Sequence, residues 1–423
     1  MLITKEKDIY EIGNVPVTEL AKKYGTPLYA YNWNKISRQI NRVFNEMNGS
    51  VKLFYSLKAN PNLSIVKRIY ESGVNLEICS PLELKICQKI GASPDRLLYL
   101  GPGKTENEIR EIISFGIKHL VVESLQEIEL VNQIAQEFGR NIKVGLRINP
   151  EHSAKGSKLT MGGKPRQFGM DEDQLAYIFN EIHSKYEFIQ VVGLHVYNGT
   201  RILSHEVLIE NTKHVLNLAT DFLNVYQINL EYVDIGGGMG IPYFKNEDPL
   251  NFEEAAVGMN KLIEDFQQKS PYPIPIFLES GRFITGESGV YVTKTLYIKE
   301  SKGVKFATAD GGTNHHMAAG GMGNALKKNF PITVLNKMNV EPTEKYNISG
   351  PLCTPNDIIG RGVELPVLEQ GDLLGILNSG AYGLTSSPVL FLSHGLPVEV
   401  LIDGKEVTVI REKHEYDLSS SNN

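Results

Sequence analysis

The sequence predicts an α/β protein in which a parallel (β/α)8 barrel is followed by a mostly antiparallel C-terminal β domain. Three observations predict it. From about residue 50, short apolar runs alternate with longer amphipathic stretches, and eight runs can be counted: "KLFYSL", "NLEIC", "LLYL", "KHLVVE", "IKVGLRI", "IQVVGLHVY", "LEYVDI" and "IPIFLE". The runs are apolar on both faces, as strands covered by helices are, and eight of them suit a closed barrel; an open doubly wound sheet is the structural alternative. After about residue 280 the texture changes to runs such as "VYVTKTLYI", "GDLLGIL" and "VEVLIDGKEVTVI", the last broken by Asp403-Gly404, a two-residue hairpin signal.

In chain order, residues 1–30, with "TPLYAYN", are too few to fold alone and are expected to pair with the β domain. Residues 31–280 then form the barrel and 281–423 the β domain. "KLFYSL" runs into Lys58, and Asn60-Pro61-Asn62 opens the next helix. A later helix opens at Ser80-Pro81-Leu82-Glu83, a capping box with proline at the first helical position, and closes at Gly91; Leu82, Ile86 and Ile90 are expected along its buried face. "NKMNVEPTEKYN", at 336–347, reads as a polar surface connection.

Composition narrows the function. Of the 423 residues, 41% are hydrophobic and 22% charged, which is ordinary for a globular protein with a large core. The formal net charge of −6 offers no basic footprint, so the reading is no nucleic acid and no membrane, and a small dissolved substrate. Three cysteines, Cys79, Cys87 and Cys353, cannot build a disulfide framework, and no secretory leader or long apolar run is visible; a cytoplasmic, reducing setting is expected.

In such a barrel the active site lies where the strands end, and the run-ending residues are Lys58, Glu77, Gly101, Glu123, Arg147, His195, Gly236 and Glu279. A lysine, a histidine, an arginine and several carboxylates at one mouth suit an electrophilic, anionic cofactor. "DIGGGMG", with Gly236, Gly237 and Gly238, offers backbone N–H groups to a phosphate, or is a tight turn with no ligand. It lacks the spacing of a dinucleotide fingerprint, and "GPGKTENE" lacks the frame of a P-loop. In "LESGR", Glu279 can keep a pyridine nitrogen protonated, with Gly281 and Arg282 following; the alternative is a surface Glu-Arg pair. With Lys58 as the amine, pyridoxal 5'-phosphate is the economical cofactor, although a strand-end lysine can also simply reach for solvent. His195 either packs flat on the cofactor ring or is a hydrogen-bonded core histidine. Cys353, in "GPLCTPND", is a candidate proton donor, whereas Cys79 and Cys87 are read as small buried hydrophobes. Tyr382, in "NSGAYG", can reach a phosphate oxygen or pack at a strand end. His315-His316 is not read as a metal site, because adjacent side chains diverge, and no metal is expected.

Taken in order, "YSLKAN", "EICSPLEL", "GPGK", "LRINP", "RQFGM", "GLHV", "DIGGGMG", "ESGR", "GPLCTPND" and "NSGAYG" resemble the fold type III pyridoxal phosphate-dependent decarboxylases, the group of diaminopimelate and ornithine decarboxylase. The resemblance runs from about Thr26 to Arg411. It implies an alanine racemase-like barrel plus β domain, and a head-to-tail homodimer with shared active sites. Lys58 then carries the cofactor, His195 stacks on its ring, Glu279 pairs with the pyridinium and Arg147 lies near the ring hydroxyl. Gly236, Gly237, Gly238, Gly281, Arg282 and Tyr382 hold the phosphate, and Cys353 of a neighbouring subunit is the acid.

Departures from the family bear on substrate. Diaminopimelate decarboxylases grip a distal carboxylate with an arginine and a tyrosine after the "DGG"-like strand; here "DGGTNHHMAAGGMGNA" has no arginine. Thr354 stands where they have an acidic residue, Asp357 lies too far along to match the ornithine-type aspartate, and Asn198 replaces a serine near the phosphate. His315, Thr354 and Asp357 remain the substrate candidates. "PRQFGMDE", "HVYNGT", "GIPYF", "SGPLCTP" and "NSGAYGL" resemble the specialised-metabolism branch, which includes the butirosin-pathway decarboxylase of carrier-protein-bound glutamate. The expected activity is therefore α-decarboxylation of an amino acid, free or tethered to an acyl-carrier protein. Lysine-pathway diaminopimelate decarboxylation and siderophore-pathway decarboxylation are the nearer alternatives. An amino acid racemase is the alternative of another class, which Glu279 opposes.

Overall fold

The structure is a computed structural model describing residues 8–151, 159–160, 167–244, 246–321 and 328–413. It divides into two compact units: Gln39–Pro242 with Asp248–Phe283, and Met1–Arg38 with Tyr243–Glu247 and Ile284–Asn423.

The first unit is a closed barrel. Its strands are β1 (Val51–Ser56), β2 (Asn75–Ile78), β3 (Leu97–Tyr99), β4 (His119–Val122), β5 (Ile142–Asn149), β6 (Ile189–Val196), β7 (Tyr232–Asp234) and β8 (Ile276–Ser280). Each pairs in parallel with the next, and β8 returns to β1 with Ile276 opposite Val51 and Ser280 opposite Tyr55. All eight apolar runs are therefore strands, and closure excludes the open sheet.

Large and small side chains fit together inside. Tyr232 on β7 and Phe277 on β8 stack 4.6 Å apart, 7° from parallel. The edge of His119 meets each at 5.0 Å. Two glycines make room for Tyr232: a Cβ on Gly145 would lie 2.1 Å from its hydroxyl oxygen, and one on Gly193 2.2 Å from Cζ. Burying a ring the size of Phe277 is worth roughly 1.5–3 kcal/mol.

Helices follow the strands. The helix α1 (Leu63–Glu71) is capped by Asn62, which accepts from Ser64 N. In α2 (Pro81–Lys89), Ser80 accepts from Glu83 N as expected, but the Glu83 carboxylate accepts from Cys79 N at 2.7 Å rather than closing the box on Ser80. Its buried face also differs from expectation: Leu84 and Cys87 are buried and Leu82 is 69% exposed. At about 100° per residue, Leu82 points nearly opposite to Leu84. A complete capping box instead opens α3 (Glu106–Phe115), between Thr105 and Glu108. No helix among the described residues is long and apolar enough to cross a membrane.

The second unit is built on one sheet. The strand Leu28–Asn32 lies between β9 (Gly289–Ser301) and the later β15 (Val398–Asp403), antiparallel to the first and parallel to the second. Beyond β9 come β10 (Val304–Ala309), β12 (Glu344–Ser349) and β13 (Ile358–Leu365), while β11 (Ile332–Val334) and β14 (Leu373–Ile376) pair antiparallel, with β14 also on β9. The sheet ends in the β15–β16 (Glu406–Arg411) hairpin, where Asp403 faces Glu406 across Gly404 at φ +61°. Most pairings are antiparallel. Val17, Leu20, Leu28, Ala30, Val290, Val292, Val400 and Ile402 form its core. The stretch 336–347 is not wholly a connection, since Glu344 onward is β12; the buried Tyr346 and Ile348 supply the alternation.

Candidate active site

The barrel mouth is assembled from strand ends. After β1 the chain makes a single tight turn, Leu57–Ala59, that buries Leu57 and Ala59 and turns Lys58 outward. Lys58 Nζ donates to Glu77 Oε1 at 2.9 Å; the lysine side chain is 38% exposed and the glutamate fully buried. Cys79 Sγ donates to the same oxygen at 2.9 Å, while Oε2 of Glu77 is buried with no partner. Cys79 thus bonds into the mouth while also packing, half-buried, against the barrel core, so its reading as a small buried hydrophobe holds only in part; Cys87 is fully buried. Burial and then the charge of Glu77 push the Cys79 thiol well up. Burial also raises Glu83 to about 7.

Deeper in the barrel, His195 Nε2 lies 3.1 Å from Glu279 Oε1, both side chains buried. Asp234 accepts from Gly236 N at 2.8 Å. One polar atom from each of His195, Asp234 and Glu279 falls within a 4.8 Å group. Two carboxylates this close and this buried do not both ionise. Burial, then the charge of Glu279, drive Asp234 well above the carboxylate range. Burial also pushes Glu279 upward, but the hydrogen bond and charge of His195, with Lys58 and Arg147, hold it below its ordinary value. Asp234 is therefore the protonated partner and Glu279 the anion.

Arg147 donates to Glu123 Oε1 at 2.8 Å, and its guanidinium lies 4.8 Å from the centre of the Phe168 ring. Glu123 Oε2 accepts from Gly169 N. The side chain of Lys104, the lysine of "GPGK", is buried and donates at 2.6 Å to both Gly101 O and Glu127, tying its loop to the first turn of the helix Leu125–Glu137.

The glycine turn is closely packed. Gly236 and Gly238 have φ of +68° and +92°. A Cβ on Gly236, Gly237 or Gly238 would lie 2.4, 2.1 or 2.2 Å from the carbonyl oxygens of Val196, Glu279 and Gly199. Glycine is required there by backbone contact, before any ligand is considered. Gly281 likewise abuts Ala59, and Arg282 begins the short helix Arg282–Thr285.

The remaining candidates belong to the β unit. Cys353 is exposed, with Thr354 half-buried beside it. Asp357 is buried; it accepts from Thr313 N and Oγ1 and from Leu352 N at 2.7–2.8 Å. His315 pairs with Gly395 O and the Tyr291 hydroxyl. These bonds tie Asp357 to the segment at Thr313 and His315 to the segment at Gly395; both residues are the sequence's substrate candidates. His316 turns to Ser379 at 2.8 Å, so the two rings do diverge. Tyr382 sits at φ +54° in a turn shared with Asn378 at φ +57°; such non-glycine conformations cost energy and concentrate at functional sites.

The mouth fits pyridoxal phosphate. It presents an amine, an ionised buried carboxylate for a pyridine nitrogen and a glycine turn. It also holds buried polar atoms with no partner: His195 Nδ1, Asp234 Oδ2, Asn198 Oδ1 and Glu77 Oε2. Sequence reasoning missed Asp234, Cys79 and Tyr197. The ring centre of Tyr197 lies 5.7 Å from Lys58 Nζ.

Comparison with known proteins agrees. The family pattern described as "Pyridoxal-dependent decarboxylase, pyridoxal binding domain" matches residues 33–286. The L-glutamyl-[BtrI acyl-carrier protein] decarboxylase of Niallia circulans is 35% identical over 96% of this chain and 95% of its own. The diaminopimelate decarboxylase of Aquifex aeolicus is 31% identical over 96% and 93%. A crystal structure of the Helicobacter pylori diaminopimelate decarboxylase complexed with L-lysine superposes with a TM-score of 0.84 at 28% identity, covering 94% of this chain and 96% of that one. The chain belongs to the fold type III pyridoxal phosphate-dependent decarboxylases, carboxy-lyases that act on amino acids.

Proposed function

We propose that this decarboxylase removes the α-carboxylate of a glutamyl group carried on an acyl-carrier protein, in specialised metabolism. The observation that carries this is the likeness, over nearly the whole chain, to the Niallia circulans enzyme of that description. The arginine-free "DGGTNHHMAAGGMGNA" supports it, because a tethered acyl end offers no distal carboxylate to grip. Decarboxylation of free diaminopimelate is the second reading, favoured by the Aquifex and Helicobacter likenesses.

Bound pyridoxal phosphate supplies a protonated ring that accepts the electron pair left when carbon dioxide departs. Lys58 would hold the cofactor through its amine, and Glu77, 2.9 Å from Nζ, would orient that amine. Glu279, kept anionic by His195, would keep the proton on the ring nitrogen. Gly236, Gly237, Gly238, Gly281, Arg282 and Tyr382 would bind the phosphate, and Arg147 would lie near the ring hydroxyl. Cys353 of a second copy of the chain would return a proton to the substrate carbon; its exposure suits a group offered to a neighbour.

Two experiments test this. Carbon dioxide release is measured from carrier-linked glutamate, free glutamate and free diaminopimelate. Turnover of the tethered substrate alone is expected, and equal turnover of a free amino acid removes the carrier from the proposal. Mixing Lys58→Ala with Cys353→Ala protein is expected to recover activity through hybrid dimers, and no recovery removes the shared site.

A further inference from the structure

We infer that Cys79 is a positioning residue for the amine of Lys58: its thiol holds the Glu77 oxygen to which that amine also donates. This rests on the cofactor assignment above. Glu77 is fully buried, and its described side-chain partners meet at Oε1, where Lys58 Nζ and Cys79 Sγ each lie 2.9 Å away. Among the described residues Oε2 has no partner. A buried carboxylate with so few donors depends on each of them. The thiol is itself fixed from behind, since Cys79 N donates to the Glu83 carboxylate at 2.7 Å and the next residue, Ser80, caps α2. Burial and then the charge of Glu77 keep the sulfur protonated, so it is a donor and not a thiolate.

The two donors do not last equally. To bond the cofactor's carbonyl carbon, the Lys58 ammonium first gives up a proton to water. Its nitrogen then joins that carbon, the carbonyl oxygen leaves as water, and the nitrogen keeps one hydrogen at most in place of an ammonium's three. The thiol keeps its hydrogen throughout, so it holds Oε1 in place while the amine changes partner. In the free enzyme it also takes up part of the charge on Oε1, which loosens the ion pair that favours the ammonium. Packing alone supplies neither effect. The sulfur also touches the barrel core, but bulk there is indifferent to a proton on Lys58.

The test is the rate at which trace acetic anhydride acetylates Lys58 in the full chain freed of coenzyme, read by peptide mass spectrometry between about pH 6 and 11. The midpoint reports the ammonium without any turnover. Cys79→Val keeps the bulk without the donor and Cys79→Ala loses both; each is expected to raise the midpoint by about half a unit to one unit. Cys79→Ser keeps a donor and is expected to stay at or below the native midpoint. The other titratable groups that feel Lys58, namely Glu83, Tyr197, Asp234 and Glu279, are unchanged in all three, and Glu83 keeps its bond because that bond is to the backbone of residue 79. A native midpoint in the valine or the alanine variant, or a serine midpoint as high as theirs, overturns the inference; should one of the first two not fold, the other decides. Borohydride trapping of pyridoxal phosphate on Lys58 of the native chain is the separate check. No label there overturns the cofactor assignment and this inference with it, whereas label with unshifted midpoints overturns the inference alone.

Discussion

The two ends of the barrel are made from the same eight strands and carry opposite chemistry. Toward the amino ends, Phe54, Tyr232 and Phe277 pack ring against ring, and His119 joins them. Burial, then the charges of Lys52 and Lys118, lower His119 to about 4, so this end is uncharged near neutrality apart from its rim. At the carboxyl ends, Lys58, Glu77, Glu123, Arg147, His195, Asp234 and Glu279 crowd together, several with buried polar atoms lacking partners. Aromatic packing at the floor contributes stability. The mouth holds groups whose partners only a ligand would complete, the usual division of labour in such barrels.

Substitutions at the two ends should therefore fail differently. Lys58→Ala is expected to abolish turnover and the coenzyme's visible band while leaving thermal unfolding of the apoprotein nearly unchanged; substantial residual turnover would break the division. Glu279→Gln is expected to lower kcat about 100-fold or more with little change in fold. Asp234→Asn should cost clearly less, because Asp234 is already neutral. At the floor, Phe277→Ala is expected to cost about 3–5 kcal/mol in unfolding experiments while the folded fraction keeps most of its kcat. A larger loss in kcat than in stability would erase the contrast.

The smallest expected effects are two opposed pH dependences, measured on the apoprotein. Unfolded, His119 takes up a proton near 6.5, and folded only near 4, so its contribution is full above 6.5 and is lost as pH falls to about 4. That loss is on the order of 3 kcal/mol. Glu83 at the mouth works the other way: with a folded value of about 7 against 4.5, its contribution is full below 4.5 and lost as pH rises through 7. His119→Gln should remove the loss of stability as pH falls from 6.5 to about 4, and Glu83→Gln the loss as pH rises from 4.5 through about 7. Unchanged pH profiles in both variants would remove titration from the comparison.

Much of this was legible in the sequence because strand identity follows from local pattern. The eight apolar runs needed no knowledge of their neighbours, and each charged residue at a run's end stood out against it. What was not legible depended on direction. Leu82 and Leu84 are both apolar, and only the helix's rotation decides which one is buried. His195 and Tyr197 are two residues apart, yet His195 is bound to Glu279 and the Tyr197 ring centre lies 5.7 Å from Lys58 Nζ. The bonds that hold Asp357 and His315 run to Thr313 and Gly395, 44 and 80 residues away along the chain, which no local pattern reveals.

The fit of Tyr232 over Gly145 and Gly193 has a consequence for how this barrel can vary. The three positions sit on adjacent staves and share a fixed quantity of space, so none of them mutates independently. An alanine at 145 or 193 is blocked while tyrosine remains at 232, and a smaller residue at 232 leaves a void until one glycine gains a methyl group. Related chains should therefore show these positions changing together, bulk migrating from one stave to its neighbour while the total stays constant.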